Sequence, residues 1–236
     1  MKFFYDFHIH SDLSPCGDKD MTPNNIVNMA YVKGLNMISV TDHNTIENYK
    51  AVEKVAQGLG VLVIPGIEIN TKEEVHILSY FKDYSSAKAV SDLIYDSLPN
   101  IPNKSDIFGE QNIYNENDEV IGKLDKLLIS ASKYTLGEIY TIVNKYNGVL
   151  VPAHINKKSN GILGVLGFFP TDVNFDFIEI SNSHELSERN KKMIMNYKKL
   201  VNSDAHILEN ISEPINYIDL DKLEDIFSYL NINFEK

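Results

Sequence analysis

Between residues 3 and 81 the sequence keeps switching its hydrophobic period, and that alternation restricts the available folds more than any other feature. The apolar run 3–9 is strand-like. Thr22 and Pro23 then make an N-cap and first-turn pair, followed by a helical pattern of Ile26, Val27, Met29 and Ala30 that Gly34 can close. MISVT (37–41) is β-rich, TIENYKAVEKVAQ (45–57) is helical, and VLVIPGIEI (61–69) is a buried strand interrupted at Pro65-Gly66. Only NTKEE separates it from VHILSYF (75–81), a link short enough to favour an antiparallel neighbour. A helix is expected over 86–98.

Residues 99–134 break the rhythm and read as an insertion, either overhanging a site or forming a plain surface excursion. Within it, NIYNENDEVIG is expected to fold as a hairpin turning at Glu116, Asn117 and Asp118. The alternation then resumes. TLGEIYTIVNKY (135–146) is a helix opened by a Thr135/Glu138 capping box, and GVLVPA (148–153) and FDFIEI (175–180) are strands. Residues 186–199 form a helix, LVNS (200–203) a short strand, and 221–230 a last helix. The pattern argues for one mostly parallel α/β domain over 1–236, closed or open.

The first strand ends in FFYDFHIHSD (3–12). Regular alternation puts Asp6, His8 and His10 on one face and Phe7 and Ile9 on the other. Polar side chains on a buried face need partners, so these histidines are either metal ligands or hydrogen-bonded core residues. Of the seven histidines, His8, His10, His43, His154 and His206 fall at or just past strand C-termini, where α/β folds build their sites. His76 would lie beside Glu68 if its strand is antiparallel, while His184 is read as structural. With Glu68, Asp18 and Asp204, these residues offer more donors than one ion needs. Imidazole and carboxylate together suit Zn, Mn or Fe. Asp42, beside His43, and Asp6, two residues before His8, are read as supports that orient ligands. Glu179 and Asn182 follow another strand and either line the pocket or simply end it.

The net charge is −11, without the basic footprint of a duplex-binding protein, so duplex nucleic acid is not expected as a partner. Cys16 is the only cysteine, which excludes an intrachain disulfide and favours a reducing compartment. No apolar run approaches a membrane span, and the opening residues, broken by Asp6 and His8, do not read as a signal peptide. A cytoplasmic location is expected, with no membrane partner.

HIH (8–10), TDHNT (41–45), PGIE (65–68), VHIL (75–78), PAH (152–154), IEIS (178–181) and SDAH (203–206), in that order, resemble the PHP (polymerase and histidinol phosphatase) superfamily of metal-dependent phosphoesterases. The resemblance implies a distorted (β/α)7 barrel, here with an insertion near 99–134, and up to three divalent ions. His8, His10, Glu68 and Asp204 would hold the first. Glu68, as a bridge, would hold the second with His76 and His154. His43, His206 and one loop residue would hold the third, with Asp18 the choice and Cys16, Asp12 and Asp20 behind it. Glu68, His154, Asp204 and His206 would be catalytic, and Lys157 would contact phosphate. The implied reaction is hydrolysis of a small phosphorylated metabolite or nucleotide by a metal-activated hydroxide. The alternatives are a 5′→3′ exonuclease or nucleotide 3′-phosphatase, a histidinol-phosphate phosphatase, or a non-catalytic metal-binding module.

Overall fold

The computed structural model describes residues 1–181 and 186–232. Strand β1 (Lys2–Ile9) leads into helix α1 (Pro23–Val32), strand β2 (Met37–Val40), helix α2 (Tyr49–Gln57) and strand β3 (Leu62–Val63). Strands β4 (Gly66–Asn70) and β5 (His76–Tyr80) follow, then helix α3 (Tyr84–Ser97). The insertion contributes α4 (Ser105–Phe108), β6 (Asn112–Tyr114) and β7 (Val120–Lys123). The chain continues through α5 (Leu136–Lys145), β8 (Val149–Pro152), α6 (Ile162–Val165), β9 (Phe177–Ser181), α7 (Glu188–Met193), β10 (Lys198–Asn202), β11 (Tyr217–Asp219) and α8 (Ile226–Tyr229).

The fold is mixed α/β, but among the described residues the strands form no closed barrel. They make four sheets, ordered β11-β1-β2-β3, β4-β5-β8, β9-β10 and β6-β7. Parallel pairing is confined to β1–β2, β2–β3 and β9–β10. The short link after β4 reverses the chain, so β5 runs antiparallel to both β4 and β8. The expected (β/α)7 closure and mostly parallel sheet therefore give way to segments joined by single bridges, Ile9 to Ala205 and His43 to Glu68. One break falls at Pro65, which has no N–H to extend the ladder. Gly66 resumes the strand where only a hydrogen fits, because a Cβ there would meet Ser39 Oγ at 2.3 Å.

Two apolar clusters hold the strands. Tyr5, Phe7, Met37, Ile64, Leu78, Tyr80, Val151 and Phe177 fill the space the strands enclose. Ile9, Ile38, Val40, Ile67, Ile69 and Ile77 face outward onto α1, α2, α3 and α5 through Val27, Val52, Val90 and Ile139. Phe7 and Ile9 thus belong to different clusters, although alternation predicts one face for both. The register between β1 and β2 shifts between Asp6 and Ile9, a bulge that re-aims the strand end. His8 and His10 consequently point into the enclosed end, apart from Asp6.

Several local expectations hold. Pro65-Gly66 divides β3 from β4, β6 and β7 pair as the hairpin, and the Thr135/Glu138 capping box opens α5. The helix expected over 186–199 is shorter, ending at Met193, and β10 begins at Lys198. Thr22 is the N-cap of α1, but its hydroxyl makes no cap hydrogen bond and donates to Asp118 of the hairpin turn. Asp118 also accepts from the Asn24 N–H, so the insertion caps this helix from a distance.

Candidate metal centre

Glu68, midway along β4, lies among five histidines. Its Oε1 lies 2.9 Å from His76 Nδ1, 3.2 Å from His154 Nε2 and 3.3 Å from His8 Nε2. Its Oε2 lies 3.0 Å from His43 Nδ1 and 3.4 Å from His10 Nε2. Asp204 Oδ1 approaches His8 Nε2 at 3.3 Å and His10 Nε2 at 3.2 Å. Asp204 and His154 both hold positive φ, +54° and +28°, which is uncommon backbone for non-glycine residues and frequent at functional sites.

The hydrogen bonds fix which ring nitrogens are free to ligate. Ser14 Oγ donates to Asp42 Oδ1 at 2.7 Å, so the 3.0 Å bond between Ser14 Oγ and His10 Nδ1 takes its proton from the imidazole. Glu179 accepts from His8 Nδ1 at 2.9 Å. His206 Nδ1 donates to the Asp204 carbonyl at 2.8 Å. These three rings therefore turn their Nε2 atoms to the centre. His8 Nε2 and His10 Nε2 stand 3.1 Å apart, so the two nitrogens share a proton when His8 is charged and can share a metal ion in its place. Glu68 Oε2, His43 Nδ1 and His154 Nδ1 are buried without a hydrogen-bond partner. Both observations fit a donor set built for metal.

Electrostatics divide the rings. Burial opposes charge on His8, but Glu179, Asp204 and Glu68 outweigh it and hold the imidazolium well above its usual range. Burial and the neighbouring His206 push His10 well below. Burial likewise opposes ionisation of Glu68, but His76, His8 and His43 hold its carboxyl well down. Asp204 is depressed against its own burial by His8 and His10. His43 rises to about 10 against its burial, through Glu68 and Cys16.

Among the described residues three groups of donor atoms can hold an ion: His8, His10 and Asp204; His43, Glu68 and His76; and His10, His43 and His206. The expected ligand residues are thus brought together, with Asp18 the exception. Its side chain is exposed and accepts from the Asp20 N–H. Asp20 is also exposed, and Asp12 is buried under Tyr114 Oη and Asn112 Nδ2, each at 2.6 Å. Cys16 is exposed, as Asp18 and Asp20 are, and its thiol feels the charge of His206 and His43. Burial disfavours its thiolate, but His206 and His43 outweigh that and bring the thiol down to about 6.

Of the two readings of Glu179, lining the pocket or ending its strand, burial favours the second. The side chain is 1% exposed and accepts from His8 Nδ1, the His154 N–H at 2.7 Å and Asn202 Nδ2 at 2.7 Å. Asn182 and His184 lie outside the described residues. Asp42 accepts from the Ser11 N–H and from the Ser11 and Ser14 hydroxyls, and Ser14 in turn meets the His10 ring. Asp6 does not touch the rings and instead accepts from the N–H groups of His8, Ser203 and Ser212. Sequence reasoning missed Ser14 and Asn202, because hydroxyl and amide residues in loops and at strand ends carry no pattern. Lys157 pairs with Asp204 at the edge of a cavity of about 730 Å³ that Ser181, Asn202, Ser203 and Asn216 also line. Among the described residues no helix is long and apolar enough to cross a membrane.

The fold is shared with solved structures. A protein of Bifidobacterium adolescentis assigned as a metal-dependent phosphoesterase superposes with a TM-score of 0.64 at 18% identity, covering 95% of each chain. The lesion-specific endonuclease Q of Pyrococcus furiosus superposes with a TM-score of 0.60 at 22% identity, over 88% of this chain and 49% of its own. An endonuclease Q complex, matched at a TM-score of 0.60 and 21% identity, holds a 27-mer duplex with an abasic lesion at its active site. That complex overturns the expectation that duplex nucleic acid is excluded. Net charge describes the whole surface, whereas bound cations can supply positive charge locally at a scissile phosphate. A 5′-3′ exoribonuclease of Haemophilus influenzae is 34% identical over 87 residues, which are 36% of this chain and 31% of the relative. The PHP domain model matches residues 6–210. With its histidines and carboxylates gathered at one end of the strands, this chain belongs to the PHP domain family.

Proposed function

We propose that this protein is a metal-dependent phosphoric ester hydrolase. The observation that carries the reading is the 3.1 Å approach of His8 Nε2 to His10 Nε2, with both Nδ1 atoms already committed as donors. His8, His10, Glu68 and Asp204 would hold one divalent ion, Glu68, His76 and His154 a second, and His43 and His206 would contribute to a third. When bound, such ions activate water and neutralise charge on the phosphate and the leaving oxygen. The chain contributes the rest. Glu179 holds the His8 ring and, through its backbone N–H, His154, so two ligands share one anchor. Lys157, beside Asp204, presents an ammonium at the cavity mouth, where a phosphate oxygen would lie. A cavity of about 730 Å³ is in the range that accepts a small metabolite or nucleotide.

A second reading, cleavage of an oligonucleotide phosphodiester, is favoured by the 34% identity with the exoribonuclease over 87 residues. The test is metal analysis of protein purified without a metal-affinity tag, together with assays of p-nitrophenyl phosphate, bis-p-nitrophenyl phosphate, a 5′-phosphorylated RNA oligomer and an abasic DNA duplex. Bound transition metal with chelator-sensitive turnover supports the hydrolase. Preference for the monoester points to the small substrate, and preference for the diester or an oligomer to the nuclease. Bound metal without turnover of any ester overturns catalysis and leaves a metal-binding module. No bound metal and no rescue by added metal overturns the whole reading.

A further inference from the structure

Asn48 stands at the N-cap of α2, where an asparagine side chain ordinarily accepts an N–H from the first turn of its helix. Here it makes no such bond. The side chain is fully buried and turned to the inserted hairpin and the loop after His10. Its Oδ1 accepts the Tyr114 N–H at 2.9 Å, and its Nδ2 donates to the Asn112 carbonyl at 3.2 Å and to Ser11 Oγ at 2.9 Å. A backbone N–H only donates and a carbonyl only accepts, so the hairpin backbone decides which way round the amide sits.

That choice orders the protons as far as His10. Ser11 Oγ accepts from Asn48 Nδ2 and from the Leu13 N–H at 3.2 Å, which occupies both lone pairs and sends its proton to Asp42 Oδ2 at 2.6 Å. Asp42 Oδ1 accepts the Ser11 N–H at 2.8 Å and the Ser14 hydroxyl at 2.7 Å. Ser14 Oγ accepts the His43 N–H at 3.1 Å, and its remaining lone pair faces His10 Nδ1 at 3.0 Å. Asn48, Ser11, Asp42, Ser14 and His10 are all buried, so no solvent competes along the chain.

We propose that Asn48 is a positioning residue through which the inserted hairpin keeps the proton of His10 on Nδ1 and its Nε2 free to ligate. The proposal rests on the metal-centre reading above. It gives the insertion a part in building the centre, carried by side chains that touch neither an ion nor a substrate.

The test compares wild type with Asn48→Ala and Ser11→Ala. Ser11→Ala keeps both hairpin bonds of Asn48, so it reads the chain even where Asn48→Ala unfolds. Ring ¹⁵N shifts of the metal-free protein, with the His10 signals identified by their loss in His10→Gln, report the tautomer. Wild type should carry the proton on Nδ1, and both variants should shift it partly to Nε2. Zn²⁺ affinity should fall about tenfold in each, the lower end for loss of an outer partner. Coupling is reciprocal, so Zn²⁺ should slow exchange of the Tyr114 amide by about the same factor in wild type and not in Ser11→Ala. Lower urea midpoints with the His10 shifts and Zn²⁺ affinity unchanged would make Asn48 a purely structural residue, overturning the proposal and leaving the metal centre standing. A wild-type protein that binds no Zn²⁺ overturns both.

Discussion

His8 Nδ1 lies 2.9 Å from Glu179 Oε1, a contact made across 171 residues of sequence between two side chains that are both essentially inaccessible to solvent. Glu179 fixes the tautomer of His8, so Nε2 is the nitrogen that faces Glu68 and Asp204. The same carboxylate accepts the backbone N–H of His154.

Glu179→Gln should therefore weaken metal binding without unfolding the chain. An amide oxygen can accept from His8 or from the His154 N–H, but the amide nitrogen cannot replace the second acceptor. A loss of about 10–100-fold in metal affinity is expected, measured by competition with a chromophoric chelator. Unchanged affinity would mean that Glu179 serves the fold alone.

His8→Ala should destabilise the protein as well as abolish activity. It leaves a buried carboxylate without its charged partner, which costs about 3 kcal/mol. Urea denaturation of the apoprotein measures this. His8→Ala combined with Glu179→Gln should recover part of the loss, since the orphaned charge goes too. If the single variant keeps the wild-type midpoint, the pair contributes nothing to stability.

Metal affinity should rise with pH. The folded protein holds His8 protonated well above its usual range, so an ion taking its Nε2 must displace a proton. Through neutral pH the affinity of that position should climb by about tenfold per unit and level off once His8 loses its proton unaided. Calorimetry in buffers of different ionisation enthalpy reads the proton release directly. A pH-independent affinity would show that His8 is already neutral.

Tyr114→Phe should loosen the insertion from the loop that follows the two histidines. Tyr114 Oη and Asn112 Nδ2 both donate to Asp12 Oδ2 at 2.6 Å, and Asp12 is 2% exposed. Losing one charge-assisted bond costs about 2 kcal/mol. Hydrogen exchange should accelerate over residues 112–123 and over the loop after His10. Faster exchange in the hairpin alone would mean that the two segments are not coupled.

Whatever depends on neighbours along the chain was readable in the sequence. Pro65-Gly66 breaks a strand because proline has no N–H, Thr135 and Glu138 cap α5 across three residues, and the hairpin turns where Asn117 and Asp118 stand. The metal-site histidines were readable because imidazoles at strand ends are chemically distinctive wherever the strands go. The tertiary structure decided which partners those residues find. It made Glu179 an anchor for His8, turned Asp18 to the Asp20 N–H, and let Asp118 cap a helix 94 residues earlier. It also inserted the bulge that separates Asp6 from the two histidines and paired β11 with β1. Each of these contacts joins groups that are remote in sequence, and periodicity records only which residues are buried, not what they are buried against.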